Sequence, residues 1–167
     1  MGEVAVARAT KATSSFQILG IGTTTSIEDV IRERGEPVWF QFYPGEDWGM
    51  TKAVIRRVEQ AGCPVLVLTV DTQGGFNRET VKRFKRRDTR DCTVCHNAND
   101  PQANARRKPM LRDFDLVKFG NMTPHSLTWE FVRRLKDATS MKLMIKGIVT
   151  WEDAELCLEN GVDGLIV

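Results

Sequence analysis

The run Val65-Leu66-Val67-Leu68-Thr69-Val70 is almost unbroken in β-branched residues and leucine. Such a stretch fits a strand buried on both faces, as in a parallel sheet covered by helices. The sequence around it supplies those helices. Residues 47 to 61 place Met50, Ala53, Val54, Val58 and Ala61 at helical spacing, with Arg56, Arg57 and Glu59 on other faces. Gly62 closes that helix. Ahead of it, Val38 to Tyr43 reads as a second strand ended by Pro44-Gly45.

The same rhythm holds on both sides. Glu3 to Thr13 reads as a helix, and Phe16 to Gly22 as a short buried strand entering a Gly/Thr turn. Ser26, followed by Glu28 and Asp29, starts the next helix, because its hydroxyl can accept an orphan amide and the acids suit the positive end of the dipole. Gly35 stops it and Pro37 bars continuation. Further on, Leu127 to Ala138 is a helix with Ser126 as its cap, and Lys142 to Ile148 is a strand. Thr150 caps a helix from Trp151 to Glu159, ended by Asn160-Gly161. Asp163 to Val167 begins one more strand. Five strands alternating with helices through short loops predict a parallel α/β sheet with helical crossovers.

A single domain fits 167 residues. A complete eight-stranded barrel needs about 250 residues. The expected fold is an incomplete (β/α)8 barrel cut at both ends, stopping at the apolar run Leu165-Ile166-Val167. A small open sheet complete in itself is the alternative. Between Asp71 and Ser126 the rhythm breaks, and residues 72–126 read as a long, mobile, basic loop carrying a short helix over Arg78 to Lys85.

Composition excludes several classes. With 41% hydrophobic and 28% charged residues the chain is neither disordered nor a membrane span. A net charge of +2 carries no argument for nucleic acid. Glu3 stands where a secretory signal needs basic residues. Four cysteines, unevenly placed, are too few for a disulfide scaffold, so the reducing cytoplasm is the expected compartment.

Polar residues stand at strand ends that should otherwise be apolar: Gln41 and Tyr43, Thr69 and Asp71, Lys146, and the turn from Gly20 to Thr25. Taken singly, Tyr43 reads as a rim aromatic, Asp71 as a turn cap and Lys146 as a snorkelling side chain. Together, at equivalent positions, they predict a ligand crevice at the carboxyl ends of parallel strands.

Phe40-Gln41-Phe42-Tyr43, Leu68-Thr69-Val70-Asp71-Thr72, Asn77-Arg78-Glu79, Leu127-Thr128-Trp129 and Ile145-Lys146-Gly147-Ile148 resemble, in order and spacing, the FMN-dependent α-hydroxy-acid dehydrogenases and oxidases. That family includes glycolate oxidase, lactate oxidase, lactate dehydrogenase and the flavin domain of flavocytochrome b. Gly2 to Ala9 resembles its first barrel helix. The resemblance implies family strands 2 to 6, FMN as cofactor and a small L-2-hydroxy acid as substrate. It also allows a homo-oligomeric full-length protein. It assigns Gln41 and Thr69 to the polar edge of the flavin, and Lys146 to its pyrimidine end, where a cation favours the anionic reduced ring. Tyr43 would hold the substrate's hydroxyl or carboxylate region. Arg78 would bind the carboxylate through its guanidinium fork. Asp71 would orient a histidine base and stabilise the imidazolium.

In the family that histidine lies in a Ser-Asn-His-Gly stretch after the sixth strand, which would fall beyond Val167. Neither His96 nor His125 stands at a matching position. Gly20 replaces the family's serine, removing one expected flavin contact. Residues 1–167 alone are therefore expected to be inactive.

Two other signals compete. Cys92-Thr93-Val94-Cys95-His96 fits C-x-x-C-H, readable as haem attachment, as a zinc or redox thiol pair, or as no site at all. A zinc site needs two more ligands, and Cys63 and Cys157 read as packed core, so no metal is expected. The second reading of the chain is accordingly a non-catalytic binding or electron-carrier segment working through Cys92, Cys95 and His96. The basic stretch Arg78, Lys82, Arg83, Lys85, Arg86, Arg87 and Arg90 has few aromatics and is diluted by Glu79, Asp88 and Asp91. It reads as a solvated, anion-attracting loop rather than a nucleic-acid surface.

Overall fold

The computed structural model describes residues 2–71, 78–90, 106–114 and 127–167. Strands β1 (Ile18–Gly20), β2 (Trp39–Phe42), β3 (Val65–Thr69), β4 (Lys142–Lys146) and β5 (Gly164–Ile166) form one sheet. Every pairing is parallel and the spatial order follows the chain order. Helices α1 (Glu3–Ala12), α2 (Ile27–Arg34), α3 (Trp48–Gln60), α4 (Glu79–Arg87), α5 (Trp129–Asp137) and α6 (Trp151–Glu159) lie between and before the strands. Right-handed crossovers between sequential neighbours put the connecting helices on one face, as around a barrel wall. Among the described residues β1 pairs only with β2, and β5 only with β4, so the barrel is incomplete.

Local chemistry sets the helix ends. Ser26 Oγ accepts from the Asp29 amide at 3.1 Å, Asp47 Oδ1 from Met50 at 2.8 Å, and Thr150 Oγ1 from Asp153 at 3.2 Å. Gly35 ends α2 in the left-handed conformation (φ 78°) that a side chain would oppose. One cap differs from the sequence expectation. α5 starts at Trp129, and its cap is Thr128, whose Oγ1 accepts from the Phe131 amide at 3.3 Å. Ser126, the residue expected there, lies outside the described residues. Two hydroxyl residues two positions apart offer the same capping chemistry, and Thr128, with an extended backbone (φ −117°, ψ 162°), is the one that caps.

The register divides the sheet into two faces. Leu19, Phe40, Phe42, Leu66, Leu68, Leu143 and Ile145 share one face and are all buried. There they join Val30, Ile55, Val58, Leu135 and Cys157 of the helices in one core. The opposite face carries Trp39, Gln41, Val67, Thr69, Met144, Lys146 and Ile166. It is polar towards the carboxyl ends of the strands and only part-buried at its edges. Every residue of β3 is buried, as its apolar run predicts. Cys63 and Cys157 are buried free thiols, in accord with the packed-core reading.

Within the long connection after β3, α4 covers the short helix expected from Arg78 to Lys85, and all its residues are exposed. Residues 106–114 are held differently. Met110 and Leu111 are each 1% exposed and belong to the core. Arg57 Nη1 donates to the Pro109 carbonyl at 2.7 Å, and Lys108 Nζ to the Gly22 carbonyl at 2.7 Å. The returning chain thus fastens both to α3 and to the turn after β1. Cys92, Cys95, His96 and His125 fall outside the described residues.

Candidate active site

The strand ends on the polar face bring the expected residues together in pairs. Gly20 is in register with Gln41, and Thr69 with Lys146. Gln41 sits level with Val67, so Thr69 projects from the same face one pleat further along. Gln41 Nε2 donates to Thr69 Oγ1 at 2.7 Å. Thr69 is 1% exposed, so this hydroxyl is a buried polar group satisfied from the neighbouring strand. The bond fixes the amide: Gln41 Oε1 is turned towards Gly20, where an ideal Cβ would lie 3.1 Å from it.

Beyond that row, Lys146 Nζ donates to Asp71 Oδ2 at 3.1 Å. The pair joins the ends of β3 and β4 and is partly exposed, with the Lys146 side chain 35% and the Asp71 side chain 43% exposed. Asp71 Oδ1 takes no hydrogen bond from any other described residue. Tyr43, just after β2, packs partly buried against the core. Arg78 stands exposed at the amino end of α4, in the connection after β3. Five of the six expected side chains therefore lie at the carboxyl ends of three adjacent strands, and Arg78 lies in the connection that follows β3.

The turn from Gly20 to Thr25 is anchored from outside the sheet. Glu3 of α1 accepts from the Thr24 amide and hydroxyl, both at 2.9 Å, and from the Thr25 hydroxyl at 3.0 Å. Partial burial pushes this carboxyl up, but these hydrogen bonds outweigh it and hold the group at about 2. The sequence reading gave Glu3 no role. Its signal was an acid at the first position of a helix, ahead of a threonine-rich turn. A cavity of about 500 Å3 opens beside Asp71, lined by Val70, Trp129, Val132, Ile145 and Ile148. It too had no counterpart in the sequence reading, because its walls come from three separated segments.

Amide, hydroxyl and ammonium groups on one face of adjacent strands can hold a flat heterocycle with acceptors along one edge and negative charge at one end. The donor chemistry therefore fits FMN. An open parallel sheet with such groups at its carboxyl rim defines the class: a ligand-binding segment of a (β/α)8-type protein. The family model for FMN-dependent dehydrogenase matches residues 1–167, and the chain belongs to that family. It is 33% identical over 175 residues to 2-hydroxyacid oxidase 2 of Homo sapiens, an alignment covering 99% of this chain and 44% of that one. It is 34% identical over 172 residues to 2-hydroxyacid oxidase of Dictyostelium discoideum, covering 99% and 42%. The fold is similar to a crystal structure of mandelate oxidase with (S)-2-phenylpropionate, with a TM-score of 0.70, 25% identity, and 98% of this chain and 41% of that one covered. The chain thus spans less than half the length of the relatives it matches.

Proposed function

We propose that this chain forms part of an FMN-dependent enzyme that oxidises an L-2-hydroxy acid to the 2-oxo acid. The observation that carries the reading is the pairing of Gln41 with Thr69, and of Lys146 with Asp71, on one rim of the sheet. In this reading Gln41, Thr69 and Lys146 hold FMN, which accepts two electrons from the substrate when bound. Tyr43 and Arg78 hold the substrate, the guanidinium taking the carboxylate through two parallel hydrogen bonds. Asp71 keeps Oδ2 on Lys146 and turns Oδ1 to the histidine base that the family resemblance implies. There it fixes the tautomer and offsets the charge that forms as the imidazole takes the substrate's proton.

The relatives named as oxidases favour oxygen as electron acceptor over the quinone or cytochrome of a lactate dehydrogenase. Four unevenly placed cysteines, too few for a disulfide scaffold, favour a reducing compartment such as the cytoplasm. The test is anaerobic mixing of the FMN-loaded holoenzyme with glycolate, L-lactate and L-mandelate, followed by oxygen. Bleaching of the visible flavin band by at least one acid, with recovery and peroxide on aeration, is expected. A flavin unaffected by every 2-hydroxy acid overturns the reading. Residues 1–167 alone are expected to bind FMN weakly, which equilibrium dialysis with free FMN checks.

A further inference from the structure

Gly147 follows β4 directly and has φ 104°. An ideal Cβ built on it would lie 2.7 Å from Asp71 Cβ, 3.0 Å from Asp71 N and 3.2 Å from Asp71 Cγ. Among the described glycines it alone would meet a neighbour closer than 3.0 Å, and one of the atoms crowded is backbone. Gly62 and Gly161 also have positive φ but face open space, so they serve turn geometry only. Gly147 serves a close approach.

The approach cannot be relieved by sliding. Gly147 N donates to Ile166 O at 2.9 Å, and Val70 N to Lys146 O at 3.0 Å, so the ladder continues past the strand ends on both sides of the glycine. A side chain at 147 would push Asp71 away from β4. The Lys146 Nζ to Asp71 Oδ2 distance, 3.1 Å, leaves little slack before the hydrogen bond is lost.

We propose that Gly147 is the positioning residue of the site: having no side chain, it lets Asp71 close on β4 and fixes the Asp71 carboxylate against the Lys146 ammonium. The inference rests on the reading of Asp71 as the partner of the base. In this proposal the glycine acts through Asp71.

The test compares wild type, Gly147→Ala and Gly161→Ala. The last pays the positive-φ cost without a clash. Zero-length carbodiimide coupling joins a carboxylate to an amine only in direct contact, and the coupled peptides are quantified by mass spectrometry. The Lys142–Asp163 pair, also at 3.1 Å, reports in the same sample whether β4 and β5 are intact. Gly147→Ala is expected to lose the Lys146–Asp71 product and keep the Lys142–Asp163 product, while Gly161→Ala keeps both. If Gly147→Ala keeps both, the glycine does not hold the pair; if it loses both, it serves the fold and not the site. Either result overturns the proposal. In the holoenzyme Gly147→Ala should lower kcat about tenfold to a hundredfold, with KM within about threefold. Adding Asp71→Glu, whose longer side chain regains the reach, should restore part of kcat. Loss of the cross-link with kcat unchanged also overturns the proposal. Absence of turnover in wild type instead removes the functional reading and leaves the coupling result to stand.

Discussion

Arg57 of α3 and Glu28 of α2 meet through two nitrogens and two oxygens, at 2.7 and 3.0 Å, while the third guanidinium nitrogen holds the carbonyl of Pro109. One side chain thus ties two wall helices to a returning segment of the long connection. The hydrogen bond to Glu28 raises the Arg57 pKa, and the bond from Arg57 lowers that of Glu28, so both ends favour the charged pair.

Removing that fork should loosen the segment more than the domain. The pair is partly exposed, so the ionic part is worth little, and the Pro109 bond adds the rest. Arg57→Ala is expected to cost about 1–2 kcal/mol in urea denaturation. It should also speed limited proteolysis around Met110, while Arg57→Lys, with one point charge in place of a fork, falls between. Cleavage near Met110 at the wild-type rate would refute the clamp.

Thr69→Val keeps shape and burial but deletes the acceptor of Gln41 Nε2. The buried hydroxyl's loss should destabilise the fold by about 1–2 kcal/mol. Freed from Thr69, the Gln41 amide loses its orientation, so the holoenzyme should release FMN about tenfold more readily. Flavin fluorescence after dilution measures this, and unchanged retention would remove Thr69 from the cofactor edge.

Asp163 carries a pH dependence with a definite sign. The hydrogen bond from Lys136, with those from the Leu143 amide and Lys142, holds its carboxyl at about 2. Because the folded value lies below the unfolded value of about 3.9, the stabilisation is complete above that value and is lost as pH falls towards 2. Asp163→Asn should therefore cost about 1–2 kcal/mol at neutral pH, with the two proteins converging near pH 2. A difference that persists at the acid end would contradict this account.

Cys63 should be chemically silent. Burial pushes its thiol up to about 11, and its sulfur lies 2.8 Å from the Val38 carbonyl. Burial likewise raises Cys157. Since the thiolate is the nucleophile, neither should react with a thiol-specific disulfide reagent until the protein is unfolded in denaturant. Labelling of Cys63 in the native state, read by peptide mapping, would show that the core opens locally.

The sequence made the sheet legible because its signals are local. Val65 to Thr69 could only be a buried strand, and Ser26, Thr150 and Gly35 bound their helices as capping chemistry requires. The rim was legible too, since Gln41, Thr69 and Lys146 break apolar strands near their carboxyl ends. What escaped depends on separation along the chain. Gly147 and Asp71 are far apart in sequence, and no local pattern says that a Cβ on one would strike the other. Met110 and Leu111 sit in a stretch whose charges dominate its composition, which hides two side chains that the core absorbs. The cap of α5 was misplaced by two residues because a serine and a threonine offer the same oxygen.

The connection between β3 and β4, residues 70–141, has a kinetic consequence. Elsewhere each strand joins its neighbour through one helix, so contacts form between residues close in the chain and should appear early. Pairing Leu66 with Leu143 requires a far larger ring to close, and the entropy of closure rises with the logarithm of its length. Docking Met110 and Leu111 first, with Arg57 gripping Pro109, divides that ring into two smaller ones. The helper segment would then set the pace at which the two halves of the sheet find each other, so its loss should slow refolding more than it speeds unfolding.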